Sequence, residues 1–353
     1  MKIKHTYKHP HSAFKLEGVL YNNISLAKLA EQYRNKGEGY QVSLGRFIMQ
    51  WIDASPELTL QTSGSTGAPK TVFMSKQAMV NSAIATGDYF KLTAGNTALS
   101  CLPFEYIAAK MMFVRAYVLG LDLYCVQPCS NPLKGSSKVY DFCAMVPLQV
   151  EQSIHDLHQI KTLIVGGAAL SKTLTIKLKN SPTNSYETFG MTETVSHIAV
   201  KNISTSSTVF EVLPSISVGV DSRNCLYIEA PHILSTPIQT NDVINLISKT
   251  RFEWIGRYDT IINSGGLKIA PEKLEQHLEG FIEDRFFIGS QKNDTLGEVI
   301  VIVIERSSAY KTLDFDVLEP FMRPKYVYYV EQFIETVSGK IKRKETLALV
   351  TPE

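Results

Sequence analysis

The chain has little of several things, and each shortage removes a class of protein. Five Cys are spread through 353 residues with no Cys-x-x-Cys pair, so neither a disulfide framework nor a zinc module is encoded. Cys125 and Cys129 read as buried apolar residues, and the cysteine usage fits a reducing cytoplasm. Charge of one sign is also scarce. The 36 Lys+Arg and 34 Asp+Glu leave +2, too small a field to require nucleic acid or an anionic membrane as partner. No apolar run approaches membrane-spanning length. The longest, Val299 to Ile304, is six β-branched residues between Glu298 and Glu305 and predicts a buried central strand. The first residues, MKIKHTYKHPHSAF, lack the apolar stretch of a secretory signal, so a cytoplasmic protein is expected. His5, His9 and His11 have no Cys or carboxylate alongside, and read as solvated residues.

What is present is an ordinary globular composition, 44% hydrophobic and 20% charged, long enough for two or three domains. Between Ile52 and Gly190 short apolar runs alternate with helical patterns, the signature of βαβ units and a largely parallel sheet. Strands are predicted at Leu58 to Gln61, Thr71 to Met74, Leu121 to Val126, Lys161 to Val165 and Tyr186 to Phe189. Ser75 offers a helix N-cap, a helix after Phe104 stops at Gly120, and another ends near Asn180. From about 204 to 251 the texture turns to short strands separated by turn residues, predicting an antiparallel subdomain. Beyond Gly256 a Pro271-initiated helix and strands near 286–288, 299–304 and 326–330 predict a further small unit. The expected fold is therefore α/β, with a large N-terminal domain (1–256) and a small α+β C-terminal domain (257–353).

The chemistry is concentrated in four short segments rich in Gly, hydroxyls and charge. Gln61-Thr62-Ser63-Gly64-Ser65-Thr66-Gly67-Ala68-Pro69-Lys70-Thr71 is a phosphate-holding loop by composition: glycines admit close backbone approach, hydroxyls donate, and Lys70 supplies charge. It is not a Walker A loop, because Pro69 stands where that pattern needs Gly, so a P-loop ATPase is disfavoured. The others are Tyr186-Glu187-Thr188-Phe189-Gly190-Met191-Thr192-Glu193-Thr194; Gly256-Arg257-Tyr258-Asp259 with Ser264-Gly265-Gly266-Leu267-Lys268; and Ser338-Gly339-Lys340-Ile341-Lys342-Arg343.

In this order the four segments resemble the motif set of the adenylate-forming acyl-CoA synthetase superfamily, from about Leu58 to Lys344. The resemblance implies activation of a carboxylate by ATP to an acyl-adenylate, then transfer to the thiol of coenzyme A. It further implies that Thr62, Ser63, Gly64, Ser65, Thr66, Gly67 and Lys70 wrap the β- and γ-phosphates, that Thr192 meets the α-phosphate, and that Glu193 helps hold Mg²⁺. Gly166-Gly167-Ala168 and Tyr186, Glu187, Thr188, Phe189 and Gly190 would line the nucleotide, with Asp242 and Arg257 on ribose hydroxyls. Asn241 replaces the usual Gly before Asp242, and a left-handed backbone there is one Asn tolerates. Asp259 matches the hinge about which a mobile C-terminal domain reorients. Lys340 would act on the reacting carboxylate and α-phosphate, and Ser264, Gly265 and Gly266 would leave room for pantetheine.

The run from Gly190 to His197 and the short chain look most like the o-succinylbenzoate-CoA ligase branch, of menaquinone biosynthesis, with a shortened N-terminal lobe whose bared surface a second copy could cover. An acid with two carboxylates needs cationic or hydroxyl partners for the spare one, and Lys110, Arg115, Ser196 and His197 are the candidates. For Lys110 and Arg115 an exposed helix face is the competing expectation. Another aryl- or acyl-CoA ligase, an adenylation enzyme loading a carrier protein, and a non-catalytic ATP-binding protein remain open.

Overall fold

The structure is a computed structural model, describing residues 6–62, 70–308, 313–335 and 341–350, with backbone alone at 61, 62 and 70. Among the described residues the strands form three sheets. The largest has five parallel strands at its heart, Asp122–Cys125, Thr97–Ser100, Tyr140–Met145, Ile160–Val165 and Asn184–Gly190, each paired to the next. Alternate residues of one strand belong to opposite faces: Phe142 and Ala144 enter one apolar cluster, Cys143 and Met145 another. Both faces of Tyr140–Met145 are therefore covered.

The antiparallel texture after 204 is real, but it is not a separate sheet. After Gly190 the chain reverses within a few residues, and His197–Asn202 pairs antiparallel with Asn184–Gly190. Phe210–Val212, Arg251–Arg257, Ile238–Ser248, Cys225–Glu229 and Ser217–Val220 then extend the same thirteen-stranded sheet. A second difference lies at the phosphate-loop segment. Glu57–Thr62 and Lys70–Ser75 pair with each other antiparallel as an isolated hairpin, because seven intervening residues are too few for a parallel crossover.

Helix ends follow their signals. Ser75 Oγ accepts from Ala78 N at the start of helix Lys76–Phe90. Helix Ile107–Leu119 stops at Gly120, whose φ of +76° and whose hydrogen, facing the His11 ring, leave no room for a Cβ. That helix is buried on every side from Ala109 to Val118. His11 is thus wedged into the fold, its Nδ1 accepting from Ala13 N, while Cys129 is exposed; both correct the expectations above.

The third sheet holds Ile262–Ser264, Leu267–Ile269, Phe286–Asn293, Gly297–Glu305 and Tyr326–Val330. Val299 to Ile304 is buried at its centre as expected. Helix Pro271–Leu278, with Pro at its first position, packs Leu274 and Leu278 into the adjoining core. Among the described residues no helix is long and apolar enough to cross a membrane.

Candidate functional site

A cleft of about 1480 Å³ opens beyond the carboxyl ends of Ile160–Val165 and Asn184–Gly190, where the sheet changes from parallel to antiparallel and where open α/β sheets bind ligands. Its walls include Gly167, Ala168, Glu187, Phe189, Asp242 and Trp254. Gly167 has φ +88°, and a Cβ on Gly166 would lie 2.3 Å from Thr188 Oγ1, which donates to Val165 O at 3.1 Å. Gly166 is thus favoured by the close passage of Thr188 over the strand end, and Gly167 by its left-handed backbone. Glu187 and Lys201, cross-strand neighbours, form an ion pair at 2.6 Å on the cleft wall.

Asp242 is 7% exposed; its Oδ1 accepts from Trp254 Nε1 at 3.0 Å and its backbone N donates to Thr240 Oγ1. Strand register sets it directly opposite Arg257, whose Nε donates to Asp259 Oδ1 at 3.0 Å. That hydrogen bond, with the nearby Asp242 charge, raises the Arg257 pKa. Asp242, Arg257 and Asp259 are therefore adjacent. Asn241 lies in the extended strand Ile238–Ser248 without a positive φ, so the left-handed tolerance expected of it is not used. Tyr186 does not line the cleft; its ring packs on Tyr89 and Phe90.

A second polar cluster lies in the core. Arg115 is 2% exposed, with Nη2 3.5 Å from Ser196 Oγ and 3.4 Å from His197 Nδ1, and Ser196 Oγ is 2.7 Å from Ser82 Oγ. Burial pushes the guanidinium down to about 10. Burial, and then the Arg115 charge, hold His197 well below its ordinary value, so the ring is neutral. Among the described residues Arg115 has no carboxylate partner, and Arg115 Nε and His197 Nε2 have no hydrogen bond. A buried cation without a counter-charge is costly. Lys110 on the same helix is 8% exposed, its pKa lowered by burial. The exposed-face alternative for Lys110 and Arg115 is overturned.

The turn between cleft and cluster is tightly built. Thr192–Thr194 form one turn of 3₁₀ helix, then Val195 takes φ +69° and Ser196 N donates to Thr194 O at 2.8 Å, a strained γ-turn on a β-branched residue. A Cβ on Gly190 would lie 2.5 Å from His197 Cα and 2.6 Å from Ser196 O, so only Gly lets the two strands close here. Glu193 projects from the 3₁₀ turn into solvent. No group of three or more His, Cys, Asp or Glu able to hold a metal occurs among the described residues. Ser264 and Leu267 close a two-residue hairpin on Gly265 and Gly266, both at positive φ, which gives those glycines a local reason. Ser63, Gly64, Ser65, Thr66, Gly67 and Lys340, and the side chains of Thr62 and Lys70, lie outside the described residues.

Four contributors carried no sequence signal of their own: Ser82, Lys201, Trp254 and the strained Val195. Ser82 and Thr86 make one polar stripe of a helix, a pattern ordinary on any helix.

The AMP-binding enzyme family matches residues 54–222. A 2-succinylbenzoate–CoA ligase of Listeria monocytogenes is 27% identical over 362 residues, spanning 91% of this chain and 74% of that protein. Among solved structures, an acyl-CoA synthetase (AMP-forming)/AMP-acid ligase II-like protein from Dyadobacter fermentans is 32% identical with a TM-score of 0.62, covering 92% of this chain and 98% of that one. The o-succinylbenzoate coenzyme A synthetase of Bacillus subtilis, in complex with ATP and magnesium ion, shares the fold at a TM-score of 0.71 and 15% identity, covering 92% and 82% of the two chains.

Proposed function

The chain belongs to the AMP-binding enzyme family, and from that premise we propose that it is an AMP-forming acid–CoA ligase whose acid is o-succinylbenzoate. The observation that carries the reading is the closure of the cleft strand at Gly190 directly onto His197 of a buried cationic cluster. Nucleotide and acid compartments thereby meet at one turn. A monocarboxylic acid would leave the Arg115 charge uncompensated; an acid with a second carboxylate satisfies it.

In the first half-reaction a carboxylate oxygen of the acid attacks the α-phosphorus of ATP, and pyrophosphate leaves. In the second, the thiol of coenzyme A attacks the acyl carbon, releasing AMP and a proton. Little covalent chemistry falls to the protein; positioning and preorganised charge supply the acceleration. Asp242 and Arg257 hold the ribose, Gly166 to Ala168 and Glu187 to Phe189 frame the base, and Thr192 meets the α-phosphate. Glu193 would contribute one carboxylate ligand to a Mg²⁺ bound with ATP. Residues 62–67 and Lys70 enclose the outgoing phosphates. Lys340 steadies the charge that moves between carboxylate and α-phosphate, and Ser264 to Gly266 face the pantetheine when residues 257–353 reorient about Asp259.

The test is a substrate panel with ATP, Mg²⁺ and coenzyme A, using aryl, succinyl-aryl and fatty acids. The highest kcat/KM belongs to o-succinylbenzoate; another acid with a much higher value ends the substrate assignment. Product formed only when a carrier protein replaces coenzyme A would instead make the chain an adenylation enzyme. ATP binding without pyrophosphate release for any acid would make it a non-catalytic binder.

A further inference from the structure

The loop between strands Ser217–Val220 and Cys225–Glu229 is built around one carboxylate. Asp221 Oδ1 accepts from Arg223 N at 2.8 Å and from Cys225 N at 2.9 Å, and Asn224 completes the reversal at φ +61°. Asp221 Oδ2 takes both Arg223 Nε and Nη2 at 2.8 Å, which fixes the plane of the guanidinium. The rest of the fork points across the sheet. Nη1 donates to Asn241 Oδ1 at 3.2 Å, and Nη2 also reaches Thr240 O at 3.4 Å. The guanidinium carbon lies 5.0 Å from the centre of the Tyr258 ring.

These contacts converge on the neighbours of Asp242. Thr240 and Asn241 immediately precede it, and just beyond it Ile244 N donates to Asn224 O at 3.1 Å, so the loop bearing Arg223 grips this strand on both sides. Tyr258 follows Arg257, the cross-strand partner of Asp242, and Tyr258 N donates to Asn241 O at 2.7 Å. Asn241 stands where Gly is usual and makes no use of a left-handed backbone. Its side chain has another use here, since Gly would offer Arg223 no Oδ1. A planar fork engaged at several acceptors fixes orientation as well as distance, which a point charge cannot do.

We propose that Arg223 is a positioning residue for Asp242: anchored by Asp221 and Tyr258, it sets through Asn241 the carboxylate that receives the ribose of the nucleotide. The proposal rests on the reading above in which Asp242 binds ribose hydroxyls. The experiment is calorimetric titration of the full chain with ATP and with 2′,3′-dideoxy-ATP, which lacks both hydroxyls, so that no acid substrate is needed. The parent chain should prefer ATP by about 10-fold or more, because hydrogen bonds to a charged acceptor are at stake. Arg223→Met should weaken ATP binding about 3- to 10-fold while leaving that of the dideoxy nucleotide within about twofold.

A loop that merely supports the fold would weaken both nucleotides alike, and that result would overturn the proposal, as would unchanged ATP binding. Arg223→Lys keeps the charge without the fork and should behave like Arg223→Met. Full retention of the ATP preference in Arg223→Lys would show that charge alone acts, and would sink the positioning role. If Arg223 acts through Asp242, adding Arg223→Met to Asp242→Asn weakens ATP no further; an additive loss refutes it. Asn241→Ala, which removes the Oδ1 acceptor, carries the test with the same selective loss expected should Arg223→Met fold poorly. A parent chain that binds the two nucleotides alike, or neither, ends the ribose reading and the proposal with it. A preference lost in Asp242→Asn but kept in Arg223→Met defeats only the positioning proposal.

Discussion

The Arg115 guanidinium and the His197 imidazole lie 3.4 Å apart in the core, and the neutral ring accepts from the cation through Nδ1. The contact points one edge of the guanidinium without cancelling its charge. A carboxylate bound there would form hydrogen bonds to a charged donor, each worth about 1.5–3 kcal/mol, or roughly 10- to 150-fold in affinity. Arg115→Met should therefore lower kcat/KM for o-succinylbenzoate by at least about 10-fold while changing that for an aryl monocarboxylic acid of similar size by less than about threefold. Equal losses for the two acids would show that Arg115 is a packing residue.

The same pair makes stability depend on pH. His197 is held neutral in the fold, with a pKa well below its ordinary value, while the unfolded chain titrates near 6.5. The unfolded state thus binds more protons over the interval just below pH 6.5, and stability must rise with pH there and be lost on acidification. His232, lowered by burial, acts in the same direction. Thermal unfolding from pH 7.5 down to pH 5 should show a steep fall in Tm for the parent chain and a shallower one for His197→Gln. Parallel curves would mean that His197 is not the group responsible.

Asp242 offers a test of the nucleotide side that leaves the acid cluster alone. Its Oδ1 accepts from Trp254 Nε1, a bond that the Oδ1 of Asn could still accept. Asp242→Asn should keep the fold but lose the charge that receives a ribose hydroxyl, raising KM for ATP about 10-fold with KM for the acid little changed. Asp242→Ala, which also strands the part-buried indole N–H of Trp254, should in addition lower Tm. A variant with an unaltered KM for ATP would remove Asp242 from the site.

Much of this fold is legible in the sequence itself. Periodicity locates three of the five parallel strands, those near 121–126, 161–165 and 186–189, with the Ser75 cap and the stop at Gly120, because those depend on neighbours in sequence; Thr97–Ser100 and Tyr140–Met145 carried no expectation of a strand. Pairing was less legible. Thr71 to Met74 reads as a strand in isolation, and only the length of the connection makes Lys70–Ser75 a hairpin partner of Glu57–Thr62. The helix carrying Lys110 and Arg115 defeated amphipathic reasoning because it is covered on all sides, so charged positions that normally mark solvent here mark the core. Ser82 and Val195 were silent, since a serine in a helix and a valine after a threonine acquire meaning only from contacts more than a hundred residues away or from a backbone angle.

Gly190 gives the last prediction, because it joins the two halves of the site. A methyl at this position meets backbone, His197 Cα at 2.5 Å and Ser196 O at 2.6 Å, and backbone cannot rotate aside. A methyl on Gly166 meets instead the Thr188 hydroxyl at 2.3 Å, which can turn away by giving up its bond to Val165 O. Overpacking of this kind costs about 1–3 kcal/mol, and Gly190→Ala belongs at the upper end and Gly166→Ala at the lower. Gly190→Ala should also shift His197 and Ser196 relative to Arg115, so that KM for the acid rises together with KM for ATP. Gly166→Ala should disturb the nucleotide alone. Measuring both KM values and Tm for the pair of variants decides the matter: if Gly190→Ala leaves the acid KM untouched, the two compartments are not coupled through this turn.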